Sequence, residues 1–565
     1  MHSGATTALA IALASLVFAL YWPALKFGFL YYDDPLYITN NSIIQNGLTW
    51  DGFRYAFTNM SGFWQPLTWL VLMLEVEIFG IAPHGFHFVN VLLHACNVLL
   101  LFRIACRISA KPWPSAFVSA IFACHPLTVE SVAWVSEIKG LLAGFMGLLS
   151  TLCYLKYLAR RSVGSYALVG TTYLLGLMAK PSILPLPLLF ILVDYAQVKG
   201  LILPYKSGEH IHPNIRETWP VGLAAKLPFV LIGMTFFFVT CVAEERFGAL
   251  RSLSEVSFAG RVQAAITCVW LYVVKVFYPA NLSVFYPSQQ VMPLGLLTLA
   301  VGFLLGLIAL AVHFRRRFPP LALGLIGFAI TLLPHVGLIR VGEHVMADRY
   351  MYLPLIFILG MAVAAVQRIS GPQNAITVAR LLPVVLVLGL TVNSRAYLLL
   401  WASDRSLFQH ALQVAPNRNF VAHNILGLCQ LDSKNLDEAA THFTKASQIA
   451  PDSAIAHHNL ALVHQMAGRV TEAEAAYRRA VALSPDASGT LANFADFLFA
   501  NALSERKRTT EALKHSARAL VLCPNDPKKY DLLASILFRM GNTNGAHKIL
   551  AMARRQNVPQ PADKL

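Results

Sequence analysis

The order of apolar and polar positions divides this chain into two parts of different character. Through residues 1–400 apolar runs follow one another, separated by short polar stretches. Many approach the roughly 20 residues that a helix needs to cross a bilayer. From 401 to 565 the apolar residues thin out and recur with helical spacing in an Ala-rich background. The runs predict spans near 5–23, 85–102, 114–125, 140–157, 165–179, 181–197, 226–243, 291–312, 321–339, 351–367 and 381–400. Several are short for a crossing, which predicts tilted or protein-buried helices. Two further stretches, 64–80 with Glu75 and Glu77, and 262–279, read as helices lying in the interface.

The second part repeats. Pro416, Pro451 and Pro485 are spaced by 35 and 34 residues, and Asn424, Asn459 and Asn493 keep the same steps. Ala446 and Ala480 follow, and Ala519 comes after an insertion of five residues around 503–508. Paired helices of this length, with small residues at the packing points and Pro closing each unit, are the pattern of tetratricopeptide repeats. One such unit cannot bury its own face, so three or four stack into a short superhelix with a concave groove. The expected fold is therefore all-α: a transmembrane helical bundle of about eleven spans over 1–402, then a helical solenoid over 403–565. The groove suits a peptide or protein partner, and its duller reading is an array that only caps the bundle.

Composition agrees and removes some functions. Of 565 residues 56% are hydrophobic and 13% charged, with a mean hydropathy of +0.55. A soluble domain carries about 25% charged residues, so this is a polytopic membrane protein. The net charge of +16 is not a nucleic-acid signal, because the basic residues sit in short clusters between apolar runs. With eleven spans, Arg103/Arg107/Lys111, Lys156/Arg160/Arg161, Lys199/Lys206, Arg315–Arg317 and Arg368/Arg380 fall on one side, which is the cytoplasm and is shared by the N-terminus. The loops 24–84, 125–139, 244–290 and 340–350 then face outward, and so does the solenoid. The first helix lacks a basic leader and is read as a retained span. Eight cysteines show no metal spacing and read as free thiols.

Polar residues gather in the outward loops, where packing does not explain them. Asp33 and Asp34 stand side by side just past the first span, although a carboxylate near hydrocarbon costs about 2.5–3.5 kcal/mol. His125, Glu130, Glu137 and Lys139 crowd the loop after the third span; Trp64, Lys180, Asp348, Arg349 and Tyr352 lie in others. Cations beside carboxylates at one membrane face suit a reaction of an anionic lipid headgroup with a neutral acceptor, the cations holding phosphate and a carboxylate taking a proton. Each residue also has a plainer reading. An aspartate of the pair caps a helix, Glu137 and Lys139 form an interfacial ion pair, and His125 ends a helix. Lys180 snorkels to the headgroups, and Arg349 bonds its neighbour Asp348.

The segments YYDDPLYITNN, NGLTWDGFRYAFT, WQPLTWLVLMLE, HGFHFVNVLLHACNVLLLF, HPLTVESVAWVSEIKG, LMAKPSILPLPLLFILVDY and DRYMYLP, ahead of the repeats, resemble one family over nearly the whole chain. It is the membrane-embedded GT-C glycosyltransferases of the protein O-mannosyltransferase type, in the branch with tetratricopeptide repeats. The resemblance implies a polyprenyl- or dolichyl-phosphate sugar donor, often mannose, and inverting transfer to a hydroxyl on the outer or lumenal face. It makes Asp33 the general base with Asp34 in support, or the reverse. Arg349 and Lys180, then Lys139, become candidates for the donor phosphate. His125, Glu130, Glu137, Trp64 and Tyr352 become candidates for the substrate pockets. The chain departs from the family at Glu137-Ile138-Lys139-Gly140, where the family often shows Glu-Arg-Lys-Asp. No ligand set has decisive metal spacing, so metal independence and no cofactor are expected. The expected function is sugar transfer to protein Ser/Thr, with the repeats recruiting the acceptor, in a bacterial inner membrane. The alternatives are a glycan- or lipid-directed transferase, a non-enzymatic scaffold that anchors the repeats, and a transporter. A transporter places polar residues at mid-depth, whereas here they gather at span ends.

Overall fold

A computed structural model describes residues 2–60, 64–201, 223–246, 257–287, 293–337, 346–369, 378–502, 505–524 and 526–555. The outward-loop residues Glu343 and His344 and the cationic Lys206 lie outside the described residues. All eleven apolar runs become helix, and the chain is a multi-pass membrane protein. Among the described residues eight helices are long and apolar enough to cross a bilayer, and a ninth crossing is made if one bent pair counts as a single span. Val163–Ala179, Pro319–His335 and Pro354–Arg368 are shorter apolar helices, as expected of tilted or buried segments. Burial grades across the bundle. In Val135–Arg160 61% of the apolar window is enclosed by protein, whereas in Leu294–Phe314 only 6% is, so the first lies at the core and the second presents itself to lipid.

The two segments expected in the interface differ. Pro66–Phe79 is a helix of 14 residues, too short to cross upright. Phe258–Phe277 is a continuous helix of 20 residues that meets the length and apolarity of a crossing. Added to the eleven spans expected from the sequence it would make twelve, and an even number would place the repeats on the side of the N-terminus.

Local chemistry explains the breaks that shape the site. Pro126 has no N–H to continue a helix and forces the residue before it out of helical geometry. His125 is accordingly extended (φ −76°, ψ 135°), and helices Pro112–Cys124 and Pro126–Ala133 meet there with a 59° bend. The bend turns the second helix across the mouth of the bundle. The first outward loop is held by a small core of its own. Tyr37, Ile38 and Ile44 are fully buried against Trp69, Phe86, Val135 and Ile138, with Tyr37 stacked on Trp69 at 4.9 Å. Farther back, Arg395 of Val378–Leu400 donates to the carbonyls of Ala19 (3.1 Å) and Leu20. It thereby places a cation at the C-terminal end of helix His2–Tyr21, where the helix dipole favours positive charge.

The chain separates into two compact units, Met1–His410 and Ala411–Leu565, beside the division expected after 402. Residues 404–410 belong with the bundle. Asp404 accepts from the Tyr31 N–H at 2.9 Å, and the His410 Nε2 meets the Leu282 carbonyl at 2.9 Å. The second unit contains four helix pairs, beginning with Phe420–Asp432 and Leu436–Ile449 and ending with Pro527–Arg539 and Thr543–Arg555. Gly427 sits where the first pair crosses; a Cβ there would lie 2.5 Å from the Phe443 ring. The insertion around 503–508 extends into the third pair's second helix, Arg506–Leu522, which at 17 residues is longer than its counterparts.

Candidate functional site

The two adjacent aspartates have opposite surroundings. Asp34 is completely buried. It accepts from the Leu30 N–H (2.8 Å), the Trp134 indole N–H (3.1 Å), the Ser136 N–H (3.2 Å) and the Ser136 hydroxyl. Burial lifts its carboxyl from 3.8 to about 6, against the pull of those donors. Its role is to tie the first outward loop to the second. Asp33 keeps about a third of its side chain exposed (33%) and has the Lys139 ammonium 3.7 Å away. Asp34 stands at the start of the turn Pro35–Thr39 without a side-chain cap bond, so the capping role read for the pair is not the one it takes.

Three cations surround this point, each against a carboxylate. Lys139 lies over the Tyr37 ring at 4.1 Å and the Trp134 ring at 5.4 Å, on the Asp33 side. Glu137 is 1% exposed, and it is bonded to Lys180 with its other oxygen 3.8 Å from the Arg349 Nε. Arg349 makes a two-point contact with Glu130: its N–H donates to Oε2 at 3.0 Å and its guanidinium donates to Oε1. The guanidinium also lies 5.2 Å from the Trp134 ring and 5.1 Å from the Tyr350 ring. Trp134 therefore touches Asp34, Lys139 and Arg349. Lys180, Glu137 and Arg349 line a small, partly open pocket together with Gly140, His335, Tyr350 and Tyr352. His335 stacks on Tyr350 at 4.3 Å.

Several plainer readings are overturned by these partners. Arg349 does not pair with Asp348, which accepts instead from the Tyr286 hydroxyl (2.9 Å) and the Ser283 N–H (3.3 Å). Burial raises the Asp348 carboxyl to about 6. Lys180 turns inward to Glu137 rather than out to headgroups, and Lys139 faces Asp33.

His125 and Trp64 lie apart from the pocket. His125 is spent on backbone: its Nδ1 accepts from the Leu127 N–H (3.2 Å), capping the helix after the bend, and its Nε2 meets the Val276 carbonyl (3.0 Å). Trp64 donates to the Phe57 carbonyl (2.9 Å) and packs on Phe236. The Tyr352 ring lines the pocket, but its hydroxyl is held by His94 Nδ1 (2.8 Å) and Asn97 Nδ2 (3.0 Å). Since a carbonyl only accepts, the His94 Nε2, 3.2 Å from Ala123 O, carries the proton and its Nδ1 takes one from Tyr352. Sequence reasoning missed Trp134, Ser136 and His335 as parts of the site. The first two stand inside a quoted motif and were hidden by its apolar surroundings. Among the described residues no three His, Cys, Asp or Glu side chains form a group that could hold a metal ion.

Comparison with known proteins gives two kinds of match. The tetratricopeptide repeat family model matches residues 418–486. Protein O-mannosyl-transferase TMTC3 of Mus musculus is 23% identical over 511 residues, which is 84% of this chain and 54% of that protein. Protein O-mannosyl-transferase Tmtc2 of Drosophila melanogaster is 34% identical over 195 residues, 32% of this chain and 21% of that protein. The chain is thus similar along most of its length to proteins of the O-mannosyltransferase type with repeats, as its motifs read. It spans about half the length of the relatives that match it most fully.

Proposed function

We propose that this chain transfers a hexose, mannose by the names of its relatives, from a polyprenyl-phosphate donor to Ser/Thr hydroxyls of a protein acceptor. The observation that carries the reading is the division of labour between the aspartates: one carboxylate locked away, its neighbour left partly exposed beside Lys139. In this reading the acceptor oxygen attacks the anomeric carbon while the bond to the phosphate oxygen breaks. Asp33 takes the hydroxyl proton. A carboxylate is a weak base, so it acts late, when the departing phosphate has made the sugar electrophilic and the hydroxyl acidic. Arg349 and Lys180 hold the phosphate as it gains charge, and Lys139, 3.7 Å away, orients Asp33. Attack from the face opposite the phosphate inverts the anomeric centre. No step calls for a metal.

The repeats recruit the protein acceptor, consistent with the usual role of such a solenoid. The site faces away from the cytoplasm, with a bacterial inner membrane as its setting. The test is transfer of label from tritiated polyprenyl-phosphate mannose to protein in membranes containing the full chain and native extract. Asp33→Asn is expected to lower transfer by about 10²–10⁴-fold, the range for loss of a positioned base. Equal transfer by this variant would remove Asp33 as the base. Failure of the unaltered chain to transfer mannose or any other polyprenyl-phosphate sugar would favour a scaffold.

A further inference from the structure

Every cation at the pocket already has an anion beside it, and one of those anions occupies the pocket itself. Glu130 is fully enclosed and receives the Arg349 backbone as well as its guanidinium, which makes it a fixed part of the wall. Glu137 is different. It lines the cavity together with Lys180 and Arg349. One of its oxygens is on Lys180; the other faces the Arg349 Nε at 3.8 Å and makes no hydrogen bond. Two cations converging on one carboxylate, with an oxygen left over, is the arrangement those cations would offer to a phosphate.

The backbone makes room for it. Gly140, one helical turn on, has no Cβ; a Cβ there would lie 2.3 Å from Glu137 Oε1. Only glycine at 140 lets the carboxylate lie where it does.

We infer that Glu137 is a built-in stand-in for the donor phosphate: it holds Lys180 and Arg349 in place while the pocket is empty and must be displaced when the anionic donor enters. The inference rests on the proposed function. Without some anion, Lys180 and Arg349 would be two like charges buried side by side, an arrangement that costs free energy. The stand-in removes that cost and charges it to donor affinity. A site open a tenth of the time binds about tenfold more weakly than one always open.

The experiment is saturation binding of tritiated polyprenyl-phosphate mannose to the full chain in lipid nanodiscs. The unaltered protein is compared with Glu137→Gln and Gly140→Ala, and circular dichroism follows the folding of each. Glu137→Gln removes the competing charge; Gly140→Ala pushes the carboxylate off Lys180 without changing any charge. Both are expected to bind the probe more tightly, by about tenfold on the arithmetic above. Binding by Glu137→Gln that is unchanged or weaker overturns the inference. So does tighter binding by Glu137→Gln with none by Gly140→Ala, which would mark a diffuse charge effect. Gly140→Ala, an alanine within a helix, carries the test alone should Glu137→Gln fail to fold. If the unaltered chain binds none of the probe, the proposed function falls and the stand-in with it; binding by the unaltered chain confines any failure to the stand-in.

Discussion

At the scale of single residues, adjacent aspartates separate stability from chemistry. Asp34→Ala leaves two backbone N–H groups, an indole N–H and a hydroxyl without their acceptor. At about 1–3 kcal/mol for each group stranded in a buried site, a drop in the unfolding midpoint in detergent is expected. Asp33→Asn, on a partly exposed side chain, should leave that midpoint within about 0.5 kcal/mol of the unaltered protein while transfer is lost. The pH dependence has a definite sign. Burial raises Asp34 from 3.8 to about 6, so between those values the folded chain binds its proton more tightly than the unfolded one. Its contribution to stability is full below pH 3.8 and gone above about 6, a swing of about 3 kcal/mol. The stability of the unaltered protein relative to Asp34→Asn, read from unfolding curves between pH 4 and 7, should fall by about that amount as pH rises. A constant separation would mean that the carboxyl is not lifted. That Asp33 and Asp34 matter is legible in the sequence, because carboxylates beside an apolar span demand a reason. Which of them is free is not, because the donors on Asp34 come from about a hundred residues away.

Elements were more legible than their partners. The eleven apolar runs became helices because an apolar stretch of that length has few other ways to satisfy its backbone in lipid. The repeats declared themselves by spacing. Gly427 shows how tight that spacing is: Gly427→Val places a branched side chain against the Phe443 ring, and a loss of about 1–3 kcal/mol is expected from overpacking. Thermal melting of the helical signal reads it, and an unchanged melt would mean that the helix pair has slack. The Phe258–Phe277 helix was harder to place. Charge patterning put it in the interface, and its length allows it to cross, because a segment of mixed polarity satisfies both descriptions.

At the scale of the whole molecule that single helix decides the side of the repeats. Eleven crossings would put the repeats on the side away from the N-terminus, and twelve would return them to it. Cys523 is partly exposed and not disulfide-bonded. A thiol reagent that cannot cross membranes should therefore label it in intact spheroplasts, and labelling only after lysis would place the repeats inside. The bundle also has a timetable. The first loop is fastened by Asp404, 373 residues after Tyr31, and the end of the first helix by Arg395, some 375 residues after Leu20. At about 5–20 residues per second, synthesis of that interval takes roughly 20 to 75 s. For that time a ribosome carries a membrane-inserted chain whose aspartates are made but not yet mounted. A nascent chain arrested before residue 395 has every charged side chain of the pocket and none of these two fastenings. The loop that carries the aspartates is therefore fastened late, shortly before the repeats are themselves translated.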